Sequence, residues 1–370
     1  MFEKAPHLRH VLRPAGGGIH VVSTGVQELQ NLQKRIYRCA HPDEIETAWL
    51  STLAKLKDAR AAILGVPSDT GAGFTRGANR APGALREWLL SMPTHPIWSE
   101  GVCDIGDVYT VPQLLSEEML SSEQRERTSL ALYQQDATNP QWPISPLGIC
   151  RAILNATYQH NADVVPIVLG GDHSVGWPAF AAAFEHWEKH RDRRIGLLHF
   201  DAHTDLLQER LGVRYCFATW AYHANELLGR DGRLVQVGIR ASGRTRAHWE
   251  SSLNVRQYWA DTAMAQGADA IADEVVQRFE SLGVDALYVS NDIDGTDPAY
   301  AAATGTPEPG GLTPEFVSKL TRLLAQKFPL IGADLVEIAP PLASNIEGEP
   351  ERTLSTASAY LEDLLSCVAL

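Results

Sequence analysis

The most constraining feature of this sequence is a regular alternation of short apolar runs with helix-length segments from residue 164 onward. Each run is long enough for a buried strand. Strands that alternate with helices favour a parallel sheet covered by helices on both faces. The sequence therefore predicts an α/β fold with a doubly wound parallel sheet. Its predicted strands are Val164–Leu169, Ile195–Phe200, Leu234–Ile239, Ala286–Ser290 and Leu330–Leu335.

The chain before residue 164 is less regular. Residues 1–60 are predicted to form an extension with one amphipathic helix at 43–56, because acidic residues begin this segment and lysines end it, as the helix dipole favours. A strand at 61–67 then leads into a glycine-rich loop that contains Thr75 and is suited to line a ligand site. Residues 61–370 are predicted to form a single domain, with a short edge strand at 104–108. A surface insertion is predicted around 110–150, in which residues 116–135 are compatible with a helix and the three prolines at 140–146 preclude a regular helix or strand.

Charge and cysteine content narrow the possible partners and location. The 32 basic and 45 acidic side chains give a net charge of -13, which argues against nucleic acid and anionic membranes as partners. The 5 cysteines are scattered and form no Cys-x-x-Cys pair, as expected in a reducing compartment. The N-terminus has no apolar segment of signal-peptide length, and no run in the sequence approaches the ~18 apolar residues expected of a membrane helix. We therefore expect a cytoplasmic protein that binds neither nucleic acid nor a membrane.

Polar side chains follow three of the predicted strands, where each strand ends. Residues two apart in an extended backbone point to the same face, so the carboxylates and imidazoles at each strand end should converge. Ligands bind at this edge of parallel sheets. Unpaired buried carboxylates are costly, and two divalent cations with bridging carboxylates would resolve that cost, whereas each motif alone also suits an ordinary solvated loop. The predicted metal ligands are His173, Asp201, His203, Asp205, Asp292 and Asp294.

Three motifs make the sequence resemble the ureohydrolase family, which includes arginases and agmatinases. They are Gly-Gly-Asp-His-Ser at 170–174, Asp-Ala-His-x-Asp at 201–205 and Ser-x-Asp-Ile-Asp-Gly-x-Asp-Pro at 290–298. Segments 304–313 and 334–337 are similar to that family too, so the likeness covers roughly residues 60–368. The resemblance implies a three-layer α/β/α, arginase-like fold and a binuclear centre, most often of manganese and in some relatives of nickel. It also implies a homo-oligomer, either a hexamer or a trimer, with a hetero-oligomer as the alternative.

The resemblance also implies a role for each matching residue. Asp201 and Asp292 would bridge both ions. A hydroxide held by the two ions would attack the guanidinium carbon, Asp205 would help to move its proton to the leaving nitrogen, and Glu337 would pair with the guanidinium. The remaining ligands divide between the ions: His173 and Asp205 complete one, and His203 and Asp294 complete the other.

The sequence departs from the family pattern after Asp205. Arginases carry an Asn- and Ser-rich loop there for the substrate's α-amino and α-carboxylate groups, whereas residues 206–214 read Leu-Leu-Gln-Glu-Arg-Leu-Gly-Val-Arg. The histidine of the family's His-Gly pair is also absent near Phe217, so His223 becomes the candidate for proton transfer. Thr75, Phe217 and Trp220 are predicted, with Glu337, to contact the substrate, although the aromatic residues also suit a core.

These departures favour guanidine or a small N-substituted guanidine as the substrate, with urea and ammonia or an amine as products. An agmatinase, a guanidino-acid hydrolase and a formimidoylglutamase are the alternatives within the same reaction class. A non-catalytic partner subunit or ligand sensor is an alternative of another class, which the intact set of ligands disfavours. A zinc deacetylase of related topology would need a mononuclear site, which the motifs do not indicate.

Overall fold

The computed structural model describes residues 1–93, 96–136, 139 and 141–368. In these ranges the chain forms one sheet, in which β1 pairs antiparallel with β3 and all other neighbours are parallel. The strands are β1 (Leu12–Arg13), β2 (Ala61–Gly65), β3 (Val102–Val108), β4 (Val165–Leu169), β5 (Ile195–Phe200), β6 (Leu234–Ile239), β7 (Arg256–Trp259), β8 (Ala286–Asp292) and β9 (Leu330–Val336). Their order in the sheet is β1-β3-β2-β4-β9-β8-β5-β6-β7.

Helices cover both faces of this sheet. They are α1 (Val26–Tyr37), α2 (Ile45–Leu53), α3 (Ala81–Ser91), α4 (Ser122–Tyr133), α5 (Pro146–His160), α6 (Gly176–Ala183), α7 (Trp220–Leu227), α8 (Arg246–Leu253), α9 (Ala260–Gln266), α10 (Ala268–Ser281), α11 (Pro314–Ala325) and α12 (Glu351–Val368). A π-helical turn, Phe184–His190, extends α6. Within the described ranges, no helix combines the length and apolarity needed to cross a membrane.

Two separate apolar cores lie on the two faces of the sheet. The alternation of side chains along a strand divides β2 between them, since Ala62 and Leu64 join one core and Ile63 joins the other. Helices α2, α5, α6 and α7 pack in the first core, and α3, α10, α11 and α12 pack in the second. The predicted three-layer α/β/α fold is therefore confirmed.

The N-terminal residues belong to this architecture. Leu8, Val11 and Leu12 are buried in the first core, and Phe2 packs edge-on against Trp49 of α2. Helix α2 forms within the predicted amphipathic segment and is followed by a 3-10 turn. Because β1 pairs with β3, the strand predicted at 104–108 to be an edge strand is internal, and β1 forms the edge instead. That part of the prediction was wrong.

A buried ion cluster links the N-terminal segment to the sheet. Arg86 of α3 is fully buried, donates from Nε and Nη2 to Asp104 at 2.8 Å each, and donates from Nη1 to Asp107 at 2.6 Å. The second oxygen of Asp107 accepts hydrogen bonds from the backbone N–H groups of Gly16 and Gly18. The cluster therefore ties α3 and β3 to the loop that follows β1.

The predicted insertion around 110–150 contains helix α4, whose Tyr133 is buried in the first core. Tyr133 also donates a hydrogen bond to the carbonyl of Pro143. Residues 137, 138 and 140 of this segment lie outside the described residues. The described part of the segment is thus packed against the domain through α4.

Candidate metal centre

The predicted ligands lie at the carboxyl ends of three strands. His173 begins the short 3-10 turn that follows β4, and Asp201 directly follows β5. Asp292 is the last residue of β8, and Asp294 lies in the 3-10 turn after it. Because β4, β9, β8 and β5 are neighbours in the sheet, their ends bring these side chains together.

Two groups of side chains share the carboxylate of Asp201. In the first, Nδ1 of His173 lies 3.3 Å from Oδ2 of Asp201, 3.3 Å from Asp205 and 3.0 Å from Asp292. In the second, Nδ1 of His203 lies 3.4 Å from Oδ1 of Asp201 and 3.0 Å from Asp294. Asp201 therefore directs one oxygen to each group, which is the geometry of a bridging ligand.

The hydrogen bonds of His173 indicate which ring nitrogen is free for a metal. Ser290 donates its hydroxyl proton to Asp334 at 2.6 Å, so its oxygen accepts from Nε2 of His173 at 2.9 Å. The other ring nitrogen, Nδ1, is buried, has no hydrogen-bond partner among the described residues, and faces the carboxylates. A lone pair directed at anionic oxygens is repulsive unless a proton or a metal cation lies between them. The site therefore fits a metal ion.

The negative charge of the carboxylates also favours cations at this site. Burial alone would lower the pKa of His173, but the carboxylates of Asp201, Asp205 and Asp292 around its ring favour the charged form and raise the pKa well above its usual value. The pKa of His203 rises to about 12 in spite of its burial, because Asp201 and Asp294 favour its charged form. Carboxylate oxygens and imidazole nitrogens are ligands suited to divalent first-row metals such as manganese and nickel.

His199 is a site residue that the sequence reasoning did not identify. It is fully buried, and Nε2 lies 2.8 Å from Oδ2 of Asp201. It also belongs to one of the two residue groups whose atoms lie close enough to hold an ion. The signal was present in the sequence, since His199 precedes Asp201 by the same two-residue step that relates Asp201 to His203.

Trp220 lies beneath the ligands. Its fully buried indole stacks on His173 with ring centroids 4.6 Å apart, and its N–H donates to Oδ2 of Asp205 at 3.1 Å. The sequence predicted that Trp220 contacts the substrate, whereas its contacts in the structure are with the ligand side chains. Its position is therefore that of a residue that orients Asp205 and His173.

Glu337 directly follows β9 and lies beside the first group of ligands. Its backbone is left-handed, with φ 63°, and its Oε1 accepts a hydrogen bond from the backbone N–H of His173 at 2.9 Å. Burial and the nearby charge of Asp172 raise the pKa of its carboxyl group well above the usual value. A buried anion of this kind is stabilised by a cationic ligand.

Comparison with known proteins identifies the family. The profile of the Arginase family matches residues 59–366. The chain belongs to the arginase family. The match confirms the resemblance drawn from the three motifs, and the chain is a hydrolase of that family.

Individual relatives of this arginase-family chain agree with the match. The human mitochondrial guanidino acid hydrolase is 34% identical over 294 residues, which cover 76% of this chain and 72% of the relative. The guanidinobutyrase of Pseudomonas aeruginosa is 32% identical over 299 residues, which cover 78% of this chain and 81% of the relative. The structure of proclavaminate amidino hydrolase from Streptomyces clavuligerus superimposes with a TM-score of 0.65 at 24% identity, covering 85% of this chain and 94% of that one. This last likeness shows the fold alone.

A groove of about 610 Å³ in this arginase-family chain is lined by Phe217 and by the glycine-rich loop. The guanidinium of Arg210 lies 4.9 Å from the centre of the Phe217 ring, and Arg76 lines the same groove. Thr75 donates its hydroxyl proton to the carbonyl of Gly305 at 3.1 Å. Of the residues predicted to contact the substrate, Phe217 thus lines the groove, and Thr75 contacts the carbonyl of Gly305.

The ring of His223 contacts a backbone carbonyl and three aromatic rings. Its Nε2 lies 3.0 Å from the carbonyl oxygen of Arg214, and its ring packs edge-on against Trp177, Tyr215 and Tyr222. Burial lowers its pKa. The contacts found for His223 thus join it to the loop before α7 and to neighbouring aromatic rings.

Access to the metal centre differs among its ligands. The side chain of His203 is 28% exposed, whereas those of Asp201 and Asp205 are 1% and 5% exposed. Glu308 lies at this open side, with Oε1 3.9 Å from Nε2 of His203. The centre is therefore most open to solvent beside His203.

Proposed function

We propose that this protein hydrolyses a C–N bond of guanidine or a small N-substituted guanidine, with urea and ammonia or an amine as products. The carrying observation is the carboxylate of Asp201, which directs one oxygen to each of two groups that contain His173 and His203. Two divalent cations bound there, manganese first and nickel as the alternative, would lower the pKa of a shared water so that it is available as hydroxide. The proposed ligands are those predicted from the sequence.

The protein's own residues bind and orient the substrate. The buried carboxylate of Glu337 pairs with the planar guanidinium cation. The backbone N–H of His173 fixes the orientation of that carboxylate. Asp205 accepts the proton of the attacking water and passes it to the leaving nitrogen. The indole N–H of Trp220 keeps Asp205 in place for this transfer. We assign proton transfer to Asp205 rather than to His223, whose ring lies against the carbonyl of Arg214.

The restricted access to the site supports a small substrate. Apart from His203, the ligand side chains are 5% exposed or less. A compact planar cation can reach Glu337 through such an opening with little loss of its own conformational entropy. Thr75 and Phe217 are the proposed residues that shape this approach.

A guanidino acid is the second candidate substrate, and two arginines favour it. Arg76 and Arg210 line the groove beside Phe217, and within the described part of the chain neither forms an ion pair with a carboxylate. A guanidinium group recognises a carboxylate by paired hydrogen bonds. The human and Pseudomonas relatives are named for guanidino acids and guanidinobutyrate, which agrees with this alternative.

A urea-release assay separates the two candidates. The metal-loaded protein would be supplied with guanidine, methylguanidine, 4-guanidinobutyrate, agmatine and arginine. We expect the highest kcat/KM for guanidine, and we expect Arg210→Gln to leave that value within about twofold, since a surface arginine contributes little to a substrate that does not reach it. If 4-guanidinobutyrate is preferred and Arg210→Gln lowers its kcat/KM about tenfold, the guanidino-acid reading replaces the first one.

Two other outcomes contradict the proposal more broadly. A preference for arginine would show that residues 206–217 do hold an α-amino acid. A protein that binds two metal ions per chain but releases urea from none of these compounds would be a non-catalytic partner or sensor. Light scattering of the same sample tests the proposed homo-oligomer, for which a hexamer or trimer is expected.

A further inference from the structure

A row of polar side chains crosses the sheet beneath the metal centre. His199 of β5 lies in register with Gln236 of β6, and Gln236 lies in register with Gln257 of β7. On the other side of His199, Ser290 of β8 is its partner in register. The side chains of this row are fully buried, so water cannot replace a missing hydrogen bond.

The row forms a continuous chain of hydrogen bonds that ends at Asp201. Nε1 of Trp259 donates to Oε1 of Gln257 at 3.1 Å, and Nε2 of Gln257 donates to Oε1 of Gln236 at 2.8 Å. Nε2 of Gln236 lies 2.9 Å from Nδ1 of His199. Nε2 of His199 lies 2.8 Å from Oδ2 of Asp201.

Two contacts, one at Trp259 and one at the carbonyl of Thr204, fix the direction of this chain independently. An indole N–H only donates, so Gln257 turns its oxygen to Trp259 and its amide nitrogen to Gln236. A backbone carbonyl only accepts, and the carbonyl of Thr204 lies 2.7 Å from Nε2 of Gln236. Both constraints place the amide N–H of Gln236 against Nδ1 of His199.

We infer that this chain, from Trp259 through Gln257 and Gln236, locks His199 as the tautomer with its proton on Nε2 and so positions the bridging carboxylate of Asp201. The inference rests on the metal centre of the proposed function. With its proton directed at Asp201 and its Nδ1 lone pair occupied by Gln236, His199 has no lone pair free for a metal. His199 is therefore a positioning residue and not a ligand, although it belongs to a group of metal-compatible side chains.

The same hydrogen bonds predict which substitution of Gln257, a residue remote from the metal ligands, disturbs the metal centre most. Gln257→Glu keeps the acceptor for Trp259 but replaces the donor to Gln236 with a second acceptor. Gln236 must then either face an oxygen with its own oxygen or turn over, which places its oxygen against the carbonyl of Thr204 and against Nδ1 of His199. Gln257→Met removes the contact without reversing it, because Thr204 still orients Gln236.

Metal release from the loaded protein tests this difference. Each variant would be loaded with Mn²⁺ and mixed with excess chelator, and the metal remaining on the protein would be followed with time. We expect Gln257→Glu to release Mn²⁺ at least about tenfold faster than Gln257→Met, in the range seen when groups that orient metal ligands are changed. Gln33→Glu is the matched control, since Gln33 is also buried and donates to a carbonyl but lies outside the chain.

Equal release from Gln257→Glu, Gln257→Met and Gln33→Glu would overturn the inference. Neutron diffraction of the wild-type protein gives a second measurement that needs no variant: we expect a deuteron on Nε2 of His199, and one on Nδ1 instead would overturn it. The proposed function fails separately. A protein that holds two ions and shows the expected release pattern but hydrolyses no guanidino compound would leave this inference standing.

Discussion

At His173 and His203 a proton and a metal ion compete for the same ring nitrogen. The carboxylates around them raise the pKa of both imidazoles in the metal-free protein, that of His203 to about 12. Below these pKa values the rings carry a proton that a metal must displace, so the apparent metal affinity should rise with pH through the neutral range. Calorimetric titration with Mn²⁺ in buffers of different ionisation enthalpy should show protons released at pH 7. Binding without proton release would contradict this reading.

The residues of the site were predictable to different extents. The two-residue period at strand ends selected Asp201 and His203, whose Oδ1 and Nδ1 atoms lie 3.4 Å apart in the structure, but His199 was missed although it lies on the same period. The roles of Trp220 and His199 were not predictable, because they depend on which atoms meet across different elements. A buried tryptophan that donates to a ligand and one that lines a substrate pocket look alike in a sequence.

Among the elements, α3 and β3 depend on the buried Arg86 cluster. Arg86→Leu would leave Asp104 and Asp107 buried without their cationic partner, and breaking a buried pair in this way costs about 3–5 kcal/mol. We expect urea denaturation to show a loss of that size in the free energy of unfolding. Arg35→Ala, which breaks an exposed pair with Glu87, should change it by less than about 1 kcal/mol. Similar losses for both variants would argue against the cluster as a structural link.

The elements themselves were predicted best where they are buried on both faces. Strands β5 and β6 agree with their predicted bounds, because every position in them is buried and most of their residues are apolar. Strands β1 and β7 were missed. β1 has two residues, and β7 reads Arg-Gln-Tyr-Trp, so neither carries an apolar period, and each is identified only by the strand beside it.

For the whole molecule, metal binding should add to stability. Ions that bind only the folded chain stabilise it by about 2.7 kcal/mol at a free concentration of 100 times Kd. We expect Mn²⁺ to raise the melting temperature of the chelator-treated protein. Asp292→Asn removes one of the charges around Nδ1 of His173, and its melting temperature should respond much less to Mn²⁺. An equal response would place the stabilising ions elsewhere in the molecule.

The left-handed backbone at Asp205 and Glu337, with φ 51° and 63°, limits how far this protein can be made more robust. Such a conformation costs an L-residue about 1 kcal/mol, and glycine would relieve that cost while deleting the carboxylate on which the proposed chemistry depends. Asp192 has a similar φ of 55° but is exposed at the surface, where glycine removes no functional group. Thermostability can thus be gained at Asp192, whereas at Asp205 and Glu337 backbone strain and turnover cannot be separated.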